Sequence, residues 1–269
     1  MILIIAFGLI AGSFLGLCAY RLPRGQSLAR PGSRCPACAQ ALGASENIPL
    51  LSFAWQGGKC RTCRRAIPWR YPVIEMAVAA AFAWSWTRTA SSGEFVREAF
   101  FLACLATLIA TDIESRQLPD EITLGGWAAG LIFAGLGIGP SLLTAAWASA
   151  IGAGSLALVG VAYQRWRGRE GMGWGDIKML GMMGAFLGLE SGAVALALAA
   201  VAASAAGLLQ ALGVLIARLR RGDGWVRARA ATALFLSRGA LPFGVFLAGG
   251  AAAALAWGPA LWRLWVGAR

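Results

Sequence analysis

The chain has 269 residues, of which 58% are hydrophobic and only 13% charged. Soluble domains carry about 25% charged residues, so this composition, with a mean hydropathy of +0.66, belongs in a lipid bilayer and excludes collagen-like, disordered and disulfide-stapled secreted chains. The 24 Lys and Arg against 12 Asp and Glu give a net charge of +12, which in a soluble protein would suggest nucleic acid but here is tested first as a topology signal.

In chain order, apolar segments run over Met1–Tyr20, Pro72–Thr89, Phe95–Thr111, Ile122–Ile138, Ser141–Tyr163, Ile177–Leu189, Ala193–Ala217 and Gly239–Val266. About 20 helical residues cross ~30 Å of hydrocarbon, so the pattern predicts an all-α polytopic membrane protein with about eight transmembrane helices. Met1–Tyr20 lacks a basic segment before it and is followed by Arg21 and Arg24, which favours a retained first helix over a signal peptide. The segment from Ile177 is short and rich in Gly and Met, as expected of a sheltered or broken helix. Gly181-x-x-Gly184-x-x-x-Gly188 reads as a helix-packing surface rather than a ligand loop. The domains expected are a first transmembrane helix (1–20), a polar module (21–71) and a membrane-embedded domain (72–269).

Between Arg21 and Tyr71 lie nine basic residues and the single acid Glu46, so the positive-inside rule puts this segment in the cytoplasm and the N-terminus outside. Alternation then places Asp112–Glu121, Gln164–Asp176 and Arg218–Arg238 inside as well. Of the 24 basic residues, all but Arg88, Arg97, Arg263 and Arg269 fall on the inner side. Topology accounts for the charge, and no nucleic-acid surface is needed.

Within the polar segment, Cys35-Pro36-Ala37-Cys38 and Cys60-Arg61-Thr62-Cys63 are two paired-thiolate knuckles separated by twenty-one residues. Each such loop can place both sulfurs about 2.3 Å from one ion, the requirement of a tetrahedral zinc site. Such a segment has little apolar core, so the metal would supply folding free energy. A redox pair is the rival, disfavoured because no thioredoxin-like βαβ pattern is present. Cys18 and Cys104 lie in apolar segments and read as packing residues. The chain has no His, which excludes a Ser/His/Asp triad, a Cys/His dyad and a His-dependent zinc catalyst, leaving the zinc structural.

Ionisable residues at the edge of a membrane helix are costly unless paired or hydrated, so each is a candidate for function. Asp112 closes one apolar segment and Asp176 opens another, both at the inner membrane edge by the charge rule. Two carboxylates on different helices at one depth suit an aspartic hydrolase, one keeping its proton while the other activates water. They suit a proton-coupled transporter equally well. Simpler readings sit beside these: Asp120 as the cap of the helix after Pro119, Asp176 as a cap paired with Lys178, and Glu75 paired with a neighbouring Arg.

Gly173-Trp174-Gly175-Asp176 permits irregular backbone where carboxylates must meet a substrate strand and water. Here the sequence resembles the type IV prepilin peptidases, bifunctional leader peptidases and N-methyltransferases of the GxGD membrane aspartic protease class. The resemblance spans nearly the whole chain: Gly12-Ser13-Phe14-Leu15, Tyr20-Arg21-Leu22-Pro23, the Cys module with Glu46-Asn47-Ile48-Pro49, Arg70-Tyr71-Pro72-x-x-Glu75, Asp112 with Leu118-Pro119-Asp120, Gly173-x-Gly175-Asp176-x-Lys178, and Leu241-Pro242-Phe243-Gly244. Glu114 stands where many members have a second Asp, and Gly16 where many have Asn.

The resemblance implies cleavage of the basic leader of prepilins or pseudopilins after a glycine at the cytoplasmic face of the bacterial inner membrane. Methylation of the new N-terminal amine by S-adenosylmethionine then follows. It implies Asp112 and Asp176 as catalytic residues, structural zinc on Cys35, Cys38, Cys60 and Cys63, and Glu46, Asn47, Arg70 and Glu75 at the methyl-donor site. A peptidase-only enzyme, a transporter using the two aspartates, and a zinc-tethered assembly platform are the alternatives.

Overall fold

The computed structural model describes residues 1–168, 172–222, 224–227, 229–230, 232 and 241–267. Its helices are α1 (Ile2–Arg21), α2 (Leu51–Trp55), α3 (Arg70–Arg88), α4 (Ser92–Ser115), α5 (Asp120–Gly135), α6 (Leu142–Arg167), α7 (Trp174–Arg220) and α8 (Phe243–Val266). Among the described residues there is no strand, only isolated bridges in the cysteine segment. Gly239, the expected start of the last span, and Arg238 lie outside the described residues, as do Arg269 and Gly171.

Local chemistry sets the boundaries. Ser91 accepts the Glu94 amide at 3.2 Å to cap α4, and Ser141 does the same for Thr144 at the start of α6. α4 stops where Arg116 turns left-handed (φ 53°), and α6 stops at Gly168 (φ 67°).

Among the described residues, four helical stretches are long and apolar enough to cross a bilayer, Ile2–Arg24, Leu142–Arg167, Trp174–Arg220 and Phe243–Val266. The expected number of spans is therefore met in part. α3 and α4 occupy their expected segments but carry internal or terminal ions, among them Glu75, Arg97, Glu98 and Asp112, and α5 has only 16 residues.

α1 packs along α3 and touches α4, while α5, α6 and α8 surround α7. The core lies between α4, α7 and α8, with Phe101, Leu105, Leu108, Met179, Met182, Met183, Phe186 and Leu247 all buried. Phe101 stacks on Phe186 with centroids 4.5 Å apart. Lipid is as apolar as these side chains, so close packing rather than escape from water drives association, and small residues allow it. A methyl group at Gly184 would lie 2.6 Å from the Ala148 backbone, and one at Gly8 2.7 Å from that of Ala79.

Gly188 departs from the packing role expected of it. It is the one non-helical residue inside α7 (φ 72°, ψ −175°), a conformation side chains rarely tolerate. The chain reverses there: Gly175 lies against Leu118 and Gly181 against Trp127, whereas beyond the break Ser191 meets Gly258, Ala195 meets Gly250 and Gly207 meets Leu241. The expected pair of segments around residue 190 is thus a hairpin of two helices with a one-residue turn.

Two arginines repair broken helices at this end, away from the cysteines. Arg97 donates to the Phe186 carbonyl at 2.8 Å, whose helical partner would be the Glu190 amide beyond the break. Arg88 donates to the Leu255 carbonyl at 3.3 Å, which lacks a partner because Pro259 has no N–H.

Candidate active site

Five chain segments converge at the opposite end of the bundle around a cavity of about 790 Å³. Asp112 comes from the last turn of α4, Asp176 from the first turn of α7, and Phe243 from the start of α8. Leu22 and Pro23, which follow α1, line it too, as does the Leu118–Glu121 stretch leading into α5.

Asp112 is buried, and its Oδ2 accepts the Val245 N–H at 3.0 Å. That amide is among the N–H groups left open at the start of α8, so the carboxylate caps a helix from another part of the chain. Gly244 makes this possible: a methyl group there would lie 2.8 Å from Asp112 Oδ2 and 3.0 Å from Leu118. The Leu241-Pro242-Phe243-Gly244 string is where the sequence carries this signal, but spacing alone does not pair it with Asp112.

Asp176 is partly exposed to the same cavity, and its amide bonds the Gly173 carbonyl at 3.2 Å. Gly175 lets α7 approach the loop after α4, since a methyl group there would lie 2.8 Å from Leu118. The two carboxyl groups, distant in sequence, fall within electrostatic reach of each other.

Lys178 pairs not with Asp176 but with Asp120, donating to both carboxylate oxygens at 2.7 and 2.8 Å. Pro119, not Asp120, occupies the N-cap position of α5. Asp120 and Lys178 therefore bridge α5 and α7 at the rim of the cavity.

The cysteine segment forms two knuckles of one design. The Ala39 amide bonds the Cys35 carbonyl and the Arg64 amide that of Cys60, with Ala39 and Arg64 both at φ 58°. Bridges close them at Arg34–Ala41 and Lys59–Ala66. The four sulfurs lie within 4.8 Å of one another, and Cys35 and Cys63 are 3.8 Å apart. A tetrahedron with metal–sulfur bonds of about 2.3 Å has edges of about 3.8 Å, so the donor set fits zinc. The N–H groups of Cys63 and Thr62 pull the Cys60 thiol down to about 7, which favours the thiolate a metal requires. Cys18 and Cys104 are buried in helices, as expected.

A second cavity, of about 570 Å³, lies between α1, α3 and the cysteine segment, and Glu46, Asn47 and Glu75 line it with Ser13, Tyr20 and Arg21. Glu75 is buried and, rather than pairing with an Arg, accepts the Leu50 N–H at 2.8 Å. Glu46 accepts the Gly43 N–H at 2.9 Å. Gly12 allows the approach, because a methyl there would lie 2.7 Å from the Glu75 backbone. Arg70 is not part of this lining. It pairs instead with Glu114 at 2.7 Å, and Arg24 meets the same carboxylate oxygen at 2.7 Å.

Residues 6–89 match the Bacterial Peptidase A24 N-terminal domain, and residues 99–208 match the Type IV leader peptidase family. A prepilin leader peptidase/N-methyltransferase of Burkholderia pseudomallei (strain 1026b) is 33% identical, the match covering 97% of this chain and 86% of the relative. Proteins of the same description from Pseudomonas aeruginosa and Aeromonas salmonicida (strain A449) are 31% and 30% identical, each match covering 97% of this chain and 92% of the relative. No solved structure matches. Relatives alike over almost their whole length, together with the two matched domains, establish that the chain is an enzyme belonging to the type IV leader peptidase family.

Proposed function

We propose that the protein cleaves the basic leader of type IV prepilins or pseudopilins, cutting after a glycine at the cytoplasmic face of the inner membrane, with Asp112 and Asp176 as the catalytic pair. The observation that supports this reading is that Asp112 of α4 and Asp176 of α7, far apart in sequence, line one cavity where five segments end. Carboxyl groups within reach of each other cannot both ionise cheaply. A pair that shares one proton can act as acid toward the leaving amine and as base toward water. A substrate whose apolar segment lies in the bilayer presents its scissile bond at this depth. The nine basic residues of the cysteine segment support its placement in the cytoplasm.

The second step is N-methylation of the new N-terminal residue, for which S-adenosylmethionine supplies an activated methyl group. The 570 Å³ cavity is of the size small-molecule sites have. Its donor set suits that ligand: Glu46 and Glu75 offer anionic oxygens to a sulfonium and an amine, Asn47 a neutral amide, and Arg21 a cation for a carboxylate. Arg70 stands behind this lining, its guanidinium 5.1 Å from the centre of the Tyr20 ring and 5.0 Å from that of Tyr71. Zinc on Cys35, Cys38, Cys60 and Cys63 fixes the shape of this module and takes no part in the chemistry.

The test is incubation of the purified protein with a prepilin, followed by mass measurement. Loss of the leader and gain of one methyl group are expected. Either Asp112→Asn or Asp176→Asn is expected to abolish leader removal while zinc content and expression stay at wild-type levels. Cleavage surviving in either variant overturns the assignment of the pair.

A further inference from the structure

The two cavities share a wall. Where the chain leaves α1, Tyr20 and Arg21 line the smaller cavity and Leu22 and Pro23 line the one holding the aspartates. A few consecutive residues separate the two spaces.

That wall is the end of α1 and the single helical turn Leu22–Arg24 that follows it, and it is tied down on several sides. Arg21 is buried and donates to the carbonyls of Ser27 at 2.9 Å and Gly32 at 3.0 Å. Arg24 donates to the Tyr20 carbonyl at 2.6 Å and to Glu114 at 2.7 Å. Arg70, at the start of α3, reaches the same Glu114 oxygen at 2.7 Å. The Tyr20 ring carries both guanidinium groups, Arg24 at 4.1 Å and Arg70 at 5.1 Å.

Glu114 therefore joins three pieces: the segment after α1, the first turn of α3, and the last turn of α4 one residue beyond Ile113, on which Asp112 also sits. Its side chain is 19% exposed, and the two arginines answer to this one carboxylate. Removing its charge leaves two neighbouring cations without an anion, one of them with an Nε that is buried and unpartnered.

We infer that Glu114 is a positioning residue that holds Tyr20–Arg24 as a common wall, across which the newly made N-terminus passes from the aspartate cavity to the methyl-transfer cavity without release. This rests on the two-step reading given above. It makes the steps processive: the amine freed beside Leu22 and Pro23 has only that wall to cross, whereas a released product would have to find the second cavity from the membrane.

The experiment offers the detergent-solubilised full chain a prepilin together with a tenfold excess of ¹⁵N-labelled mature pilin whose N-terminus is unmethylated. Mass spectrometry then separates the pilin cut during the assay from the pilin added. Wild-type protein is expected to methylate the newly cut chain at least tenfold in preference to the added one. Glu114→Gln is expected to cut within about threefold of wild type, to bind zinc fully, and to lose that preference. Glu114→Asp, which keeps the charge, is expected to retain most of it. Trypsin cleavage after Arg24 reports on the clamp without reference to activity and is expected to quicken at least fivefold in Glu114→Gln. Should that variant misfold, Arg24→Gln removes one arm from outside α4 and is expected to show the same loss of preference.

Equal methylation of both chains by wild-type protein, or an undiminished preference in Glu114→Gln, overturns the inference. So does a parallel fall in cleavage, methylation and zinc content in both Gln variants, which would mark the clamp as a general prop. Wild-type protein that neither cuts nor methylates refutes the underlying reading instead, and the trypsin comparison still reports on the clamp.

Discussion

Replacing Gly244 by Ala tests how the carboxylate of Asp112, one of the proposed catalytic pair, is held. The added methyl would fall 2.8 Å from Asp112 Oδ2 and 3.0 Å from Leu118 Cδ2, inside the distances such atoms allow, so the carboxylate must move off the Val245 N–H it now accepts at 3.0 Å. A hydrogen bond to a charged group is worth about 1.5–3 kcal/mol. If that loss is felt in the transition state, at ~1.4 kcal/mol per decade of rate, cleavage slows about ten- to a hundredfold. Misplacing a reacting group by about 1 Å costs about a hundredfold, in the same range. The measurement is initial rates of leader removal over a range of prepilin concentrations. The expected result is a lower kcat with KM little changed, because the substrate-contacting surface is left intact. Gly249→Ala, on the same helix with open space around it, is the control. It is expected to leave the rate unchanged and to gain up to ~1 kcal/mol in helix propensity. A Gly244→Ala enzyme that cuts within about threefold of wild type would refute the reasoning.

At the turn of the α7 hairpin, Gly188→Ala meets no atom closer than 3.7 Å, so its cost is backbone strain of about 1–3 kcal/mol, to be seen as a lower Tm in detergent. Asp120→Asn breaks the pair with Lys178, but Asp120 is 57% exposed, so a stability loss below ~1 kcal/mol is expected by the same melt.

The four-cysteine cluster and the convergence of the two aspartates on one cavity were legible because residue type and spacing announce them. Two Cys-x-x-Cys knuckles carry their geometry with them, and a lone carboxylate at the end of an apolar run announces its cost. What spacing hides is partnership between distant segments. Lys178 looked like the natural partner of Asp176, yet residues two apart point to opposite sides of a helix, and only the approach of α5 supplied Asp120. Glu75 found the Leu50 amide for a similar reason: a loop folds back over α3, and its unpaired N–H is nearer than any guanidinium. Arg70 was drawn out of the expected site by Glu114, which lies far along the chain. The span count was blurred because α4 carries Glu94, Arg97 and Glu98 near one end and Asp112 and Glu114 near the other, which lowers its average hydropathy although much of it is buried.

Arg88 and Arg97 are among the few basic residues that the charge rule leaves on the outer side, and each neutralises a main-chain oxygen stranded by an interrupted helix, at Pro259 and at Gly188. Their placement answers to backbone satisfaction rather than to the signals that orient membrane insertion. These two arginines each point to a discontinuity in a neighbouring helix that the sequence pattern alone does not display. Exchanging either one for a neutral residue should loosen the bend it serves without inverting the protein in the bilayer.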